Sequence, residues 1–205
     1  MAGSAHRSVF PYRSTRRSFL LSGFVTAGAL ASDSNSQKGQ TLESEWVRYA
    51  DPATEFQVYR LTDPAYSSTL PATYNRLITR NSGALLYCSE RSGTPQAFRM
   101  DLKSGDTVQL TDRKDLDGSS LALLPDGRSF CYFADRTLYL TGIATLRERP
   151  VYTIPEGWER CDGISVGADG GHAMFGERSG DSLLARLLNN VLGSSYLTQR
   201  TLPLV

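Results

Sequence analysis

Histidine is scarce in this 205-residue chain, which has two: His6 and His172. His6 falls in an N-terminal leader. His172 opens a short strand-like run after Gly170 and Gly171, where a solvent-facing imidazole is expected, so a multi-histidine metal centre is excluded. The three cysteines, Cys88, Cys131 and Cys161, include no C-x-x-C pair, which excludes zinc-ribbon and thioredoxin-type motifs. Their count is odd, and neighbouring sheets seldom bring such strands within the ~7 Å Cα separation a disulfide needs. Buried or free thiols are expected. A basic surplus is also missing. Arg7, Arg13, Arg16 and Arg17 precede residue 32 with no acid among them, leaving 18 basic and 21 acidic side chains after it, a net charge of −3. Nucleic-acid binders carry a basic excess or stripe, so nucleic acid is not an expected partner. The apolar run from Phe19 to Ala31 is 13 residues long, short of the ~20 that span a bilayer.

That run has another use. "STRRSFLLSGFVTAGALA" sets Arg16 and Arg17 directly before it and ends in Ala29-Leu30-Ala31, the charged, apolar and small-residue parts of an export signal. The paired arginines before Phe19-Leu20 resemble the twin-arginine (Tat) signal, which predicts cleavage after Ala31, no transmembrane anchor afterwards, and a periplasmic or secreted protein. Residues 32–44, "SDSNSQKGQTLES", are polar and read as a flexible linker.

The remainder, 40% hydrophobic and 10% aromatic over the whole chain, suits a globular core. It repeats itself. "SERSG" at 89–93 returns as "GERSG" at 176–180, and Gly83, Gly127 and Gly170 each precede a short apolar run at intervals of 44 and 43. The acid–arginine pairs Glu90-Arg91, Asp135-Arg136 and Glu177-Arg178 close those runs. A period of 40–45 residues built from short strands is that of a β-propeller blade. Runs rich in β-branched and aromatic residues between turns such as "LPDG" and "GADGG" agree. The expected fold class is therefore all-β, a propeller of four-stranded blades over residues 45–182. The first blade is placed at 73–79, 84–89, 96–101 and 106–111. The second is placed at 119–123, 128–134, 136–141 and 150–154, and the third begins near 163 with 171–176. The acid–arginine pairs are placed in the hairpin between second and third strands, the charges facing water; a binding surface made by those arginines is the functional alternative.

"GALLYCSERSGTPQAFRMDLKSGDTVQLTD" followed by "LLPDGRSFCYF" resembles the TolB-type propeller repeat. With "FQVYRLTD" at 56–63 and "YTIPEGWE" at 152–159 the chain looks most like the oligogalacturonide lyases, polysaccharide lyase family 22, from residue 46 to about 182. The resemblance implies β-elimination of pectin-derived oligogalacturonides, using a histidine base, an arginine and a manganese-type divalent ion held by histidines and a glutamine. In the family those residues lie in later blades, so no catalytic residue and no metal ligand is assigned in this chain. A non-catalytic TolB-type propeller binding a protein or glycan in the cell envelope is the other function the pattern allows.

Tyr74, Asn75 and Arg76, expected on the innermost strand of the first blade with Arg80 and Arg91 nearby, are the candidate contacts to a uronate carboxylate, because a guanidinium pairs both carboxylate oxygens; strand-end solvation is the plainer alternative. Residues 45–205 fall short of the roughly 260–350 residues a closed ring of six to eight blades needs, so the propeller is expected to be incomplete, with an open edge prone to self-association. Phe56–Thr62 reads as a fourth, outer strand without its first three. Residues 183–205 read as an atypical tail. Leu183, Leu184, Leu187, Leu188, Val191 and Leu192 have helical spacing ending at Gly193, either an inserted helix or a departure from the fold after about Gly180 where the coding frame breaks.

Overall fold

The structure is a computed structural model and describes residues 36–161, 163–189, 191 and 196–199. The stretch expected to be an export signal, with Arg16 and Arg17, lies outside them. In chain order the strands are β1 (Thr41–Leu42), β2 (Val47–Ala50), β3 (Gln57–Arg60), β4 (Ser68–Thr69), β5 (Ala84–Ser89), β6 (Gln96–Asp101), β7 (Thr107–Gln109), β8 (Ala122–Leu123), β9 (Ser129–Ala134), β10 (Thr137–Gly142), β11 (Glu148–Thr153), β12 (Glu159–Arg160), β13 (Ser165–Val166), β14 (His172–Ser179), β15 (Ser182–Asn189) and β16 (Tyr196–Gln199). One 3₁₀ turn, Gly118–Ser120, precedes β8.

The strands form antiparallel sheets in sequence order. The first runs β1-β7-β6-β5-β4 and the second β11-β10-β9-β8; in the third, β12 and β13 both pair with β14, which continues to β15 and β16. These are three successive four-stranded blades, the first with β1 added. Residues 41–42, at the end of the stretch expected to be a linker, thus pair with Val108 and Thr107 in the first sheet.

Stacking of sheet on sheet explains the composition of the second strands. β5 is buried at all six positions, because its sheet is covered on one face by the second sheet and on the other by Leu42, Leu61, Leu77 and Leu102. Leu86, Cys88, Ala97, Leu121, Phe130 and Tyr132 fill the space between the first two sheets. Phe133, Leu138, Tyr152, Ile164, Phe175 and Leu188 fill the space between the second and third. The outer face of the first sheet gathers Leu85, Tyr87, Phe98 and Met100 against Leu42, Leu61, Leu77 and Leu102.

Four expectations are corrected. The innermost strand placed at 73–79 is broken: β4 pairs with Cys88 and Ser89, Pro71, with no N–H to donate, stands between, and the chain turns with Asn75 N–H donating to the Ala72 carbonyl (2.8 Å). Only an isolated bridge, Ile78 to Leu85, resumes the pairing. The strand at Phe56–Thr62 is shorter and does have a partner, β3 lying against β2.

The third correction is the tail. Leu183, Leu184, Leu187 and Leu188, expected on a helix, belong to β15, paired residue for residue from Ser179–Ser182 to His172–Asn189, while Leu192 and Gly193 lie outside the described residues. A leucine spacing of 1, 4 and 5 fits a helix face, but the two-residue loop Gly180–Asp181 decides otherwise. Gly180 sits at φ 56, the preference of a tight hairpin for glycine at its first loop position. β16 then pairs with β15, so the four strand positions of the third blade are filled and the fold continues past Gly180.

The fourth concerns the repeated pentapeptide. In the first blade it does form the turn between second and third strands. In the third, the hairpin runs further, Glu177 stays within β14, and its side chain is fully buried. Arg91 is also withdrawn from water, its side chain 12% exposed and 2.8 Å from the Glu45 carboxylate.

Candidate functional site

The turn that replaces the innermost strand carries three of the four candidate contacts. Asn75 is 7% exposed. Its Nδ2 donates to the Leu121 carbonyl (3.3 Å) and the Ile164 carbonyl (2.9 Å), the residues just before β8 and β13. The amide therefore joins the inner edges of all three blades, a structural tie. Tyr74, beside it, is 62% exposed and lines a cavity of about 240 Å³ with Gly163, Ser165, Met174 and Gly176. Gly163 has φ +88, and a Cβ there would strike the Tyr74 hydroxyl, so the phenol needs a glycine beneath it. Arg76 is exposed, and its carbonyl accepts from Leu123 N–H (3.4 Å). Arg91, the fourth candidate, lies away from this turn. Its guanidinium serves Glu45 and the Thr107 hydroxyl (2.9 Å). The structure thus brings Tyr74 and Arg76 together at the inner edge and leaves both side chains exposed, whereas Asn75 and Arg91 spend theirs on interior partners.

Sheet-to-sheet contacts hold further charges. Glu148 accepts from Tyr132 Oη (2.6 Å) and Arg113 Nη2 (3.0 Å) and pairs with Lys38 (3.0 Å). Burial alone would raise its carboxyl; the hydrogen bonds from Tyr132 and Lys38 and the nearby cations outweigh that and hold it below the usual carboxylate range. Glu177 accepts from Tyr152 Oη (2.6 Å) and from Arg186 Nε (2.6 Å), and Arg186 also lies 5.7 Å over the Trp158 ring. Burial, then the hydrogen bond to the Glu177 carboxylate, pushes the Tyr152 hydroxyl well above its ordinary value. Asp117 pairs with Arg160, which stacks over Phe133 at 4.9 Å. None of these groups is poised for proton transfer to a solute. Desolvation raises the Cys88 thiol to about 11 and the Cys131 thiol to about 12; all three cysteines are free, with Cys161 partly exposed.

Two larger cavities open at opposite ends of the sheets. At the end of the second-to-third-strand hairpins, one of about 460 Å³ is bordered by Arg136, Trp158, Glu159 and Arg178. Its arginines are engaged, Arg178 with Glu159 and Arg136 with the Ile154 carbonyl. At the other end, a cleft of about 690 Å³ between the first and second sheets includes Arg80, Arg99 and Arg128. Arg80, placed near the central channel by its sequence position, lies here; Arg99 and Arg128 were not singled out in the sequence.

Among the described residues no three His, Cys, Asp or Glu side chains converge on a possible cation position. His172 is exposed, with Nδ1 3.0 Å from Asp169 Oδ2. The described residues do not fit a divalent-metal centre.

The stacked four-stranded antiparallel sheets define a β-propeller protein. Residues 36–176 match the family model of oligogalacturonate lyase, and the chain belongs to that family. Two curated relatives are each 27% identical over 122 residues, 59% of this chain and 31% of theirs. They are the oligogalacturonide lyase of Pectobacterium atrosepticum and the oligogalacturonate lyase of Dickeya dadantii. A solved oligogalacturonate lyase in complex with manganese superposes with a TM-score of 0.72 at 25% identity, over 79% of this chain and 48% of that one. The oligogalacturonate lyase from Vibrio parahaemolyticus shares the fold at a TM-score of 0.71 and 20% identity, over 79% and 48%. The chain therefore spans less than half the length of the relatives it matches.

Proposed function

We propose that this chain forms the first blades of an oligogalacturonide-degrading β-eliminase, exported by the twin-arginine route to the periplasm or medium, and that it meets the substrate through Tyr74 and Arg76. The family match across residues 36–176, which covers the first two blades and the third as far as Gly176 in β14, carries this reading. In the elimination a base takes the proton from the carbon beside the uronate carboxylate, the glycosidic C–O bond on the next carbon breaks as the double bond forms, and the departing oxygen takes up a proton. The carboxylate must be neutralised for that proton to be acidic, and an exposed guanidinium at a fixed inner-edge turn suits the task. A phenol beside it suits the apolar face of a sugar ring. The residues described here supply contact and orientation; the base and the divalent ion known in the family are not assigned to any of them.

Calorimetric titration of the chain with digalacturonate tests the reading, alongside the ultraviolet absorbance of an unsaturated uronate product. Binding is expected, weakened about tenfold or more in Arg76→Ala as one charge-assisted contact is lost. Equal binding of uncharged digalactose, or unchanged affinity in both Tyr74→Ala and Arg76→Ala, would refute it. The first result would identify a general glycan-binding propeller instead.

A further inference from the structure

The cleft between the first two sheets is the second candidate site. Its walls are turns at the end of the molecule opposite the Arg91 hairpin, since Ala84 pairs with Asp101 there while Ser89 pairs with Gln96 at the other end. Arg80 comes from the turn that leads into β5. Arg99 comes from β6, opposite Leu86 and Val108 and therefore on the sheet face that packs against the second blade. Arg128 comes from the turn that leads into β9, on the facing wall. The walls are braced by backbone hydrogen bonds, Leu102 N–H to the Gly83 carbonyl (2.9 Å) and Ile143 N–H to the Arg128 carbonyl (2.8 Å), so Arg80 and Arg128 are carried on fixed turns and Arg99 on a paired strand.

Three guanidiniums and two carboxylates border the cleft, which leaves it a net charge of +1. Each carboxylate is turned back into its own turn. Asp101 Oδ1 accepts from Lys103 N–H (2.8 Å) and Ser104 N–H (3.1 Å), and those bonds, with the nearby Arg99 and Lys103 charges, hold its carboxyl below the usual range. Asp126 Oδ1 accepts from Arg128 N–H (2.9 Å) and Ser129 N–H (3.3 Å). Neither lies within ion-pair distance of an arginine, and among the described residues Arg80, Arg99 and Arg128 are in no salt bridge, unlike Arg91, Arg113, Arg160, Arg178 and Arg186. Three guanidiniums from two sheets, none of them in a salt bridge and outnumbering the two carboxylates beside them, make a locally basic cleft in a chain otherwise net acidic after residue 31. The cavity, about 690 Å³, is within the ~300–1,000 Å³ of small-molecule sites, and Ile143 and Ala84 add apolar wall between the charges.

We propose that this cleft is a second binding site, for a short carboxylate-bearing saccharide, separate from the inner-edge contact at Tyr74 and Arg76. Spaced guanidiniums pair with successive uronate carboxylates, and the apolar wall takes the ring faces between them. The site would hold an oligouronide on the outside of the propeller while another stretch, or another molecule, meets the inner edge.

The test is calorimetric titration of the full chain carrying Tyr74→Ala and Arg76→Ala, which removes the inner-edge contact, with trigalacturonate at low salt. Binding is expected to persist, to weaken as salt rises, to fall about tenfold in Arg99→Gln, and to vanish in the Arg80→Gln, Arg99→Gln, Arg128→Gln triple variant. The uncharged methyl-esterified trigalacturonate should not bind. Retained affinity in the triple variant overturns the proposal. So does displacement of trigalacturonate by inorganic phosphate at equal concentration, which would leave a non-selective anion patch. Since product formation is not measured here, failure of this site is distinguishable from failure of the lyase reading.

Discussion

Replacing Arg186 by Met is the sharpest test of how the second and third blades hold together. The substitution keeps the length and much of the volume of the side chain and removes its charge. Glu177 would remain fully buried with one donor, the Tyr152 hydroxyl at 2.6 Å, where it now has the guanidinium at 2.6 Å as well. Stripping one partner from a buried ion pair costs about 3–5 kcal/mol, because the remaining charge keeps its desolvation penalty and loses its compensation. The lost stacking over Trp158 at 5.7 Å adds about 0.5–1 kcal/mol at most. For a domain of this size each kcal/mol lowers the melting temperature by about 2–4 °C, so a fall of about 6–20 °C is expected. Thermal denaturation followed by tryptophan fluorescence measures it, and urea denaturation gives the free energy, Trp158 reporting beside the substitution. The double variant Glu177→Leu, Arg186→Met should recover most of the loss, since an apolar pair has no orphaned charge. A single variant within 1 kcal/mol of the parent, or a double variant no better than the single, would refute the reasoning.

Asn75→Ala leaves the Leu121 and Ile164 carbonyls without their amide donor and should destabilise the chain by about 2–4 kcal/mol; chemical denaturation that shows less than 1 would remove the tie from the account. Glu148 has its folded-state carboxyl held below the ordinary 4.5, so its contribution is present above that value and is lost as the pH falls below it through the lowered value. The acid limb of a stability–pH curve should therefore flatten in Glu148→Gln, and an unchanged limb would show the cluster to be inert. With the Cys88 and Cys131 thiols raised to about 11 and 12, a thiol reagent at pH 8 should label Cys161 first, and Cys131 only on unfolding; early loss of Cys131 would contradict its burial. Export should stop when Arg16 and Arg17 are both changed to Lys, read as precursor retained in the cytoplasm, and normal export would dismiss the twin-arginine assignment.

The blade period was readable because each sheet must bury both faces, which forces apolar second strands such as "ALLYC" and "SFCYF" to recur behind a turn glycine. The register of the third hairpin was not. "ERSG" has the same letters at both sites, but after Gly93 the chain passes Thr94 and Pro95 before β6, whereas Gly180 and Asp181 alone form the loop before β15, drawing Glu177 into β14 and into a buried ion pair. The leucines of β15 satisfy helical spacing as well as a strand paired along its length, and local pattern alone cannot choose between them. Asn75 was singled out for the wrong geometry: an innermost strand was expected, and the partners of its amide are two backbone carbonyls, which leave no mark in a sequence. Arg99 does leave a signal in the sequence, a charge between the apolar residues Phe98 and Met100 of β6.

The Asn75 tie changes how the chain should come apart. Stacked repeats ordinarily contact only their neighbours, so their stability is a sum of unit and nearest-neighbour terms, and an end unit can melt alone. A side chain from the first blade bonded to a carbonyl of the second, 46 residues on, and of the third, 89 residues on, adds a next-nearest coupling. Roughly doubling the loop costs only about 0.6 kcal/mol more in closure entropy, less than a net hydrogen bond returns. Loss of the third blade therefore also loosens the first. The three blades are expected to unfold as one cooperative unit.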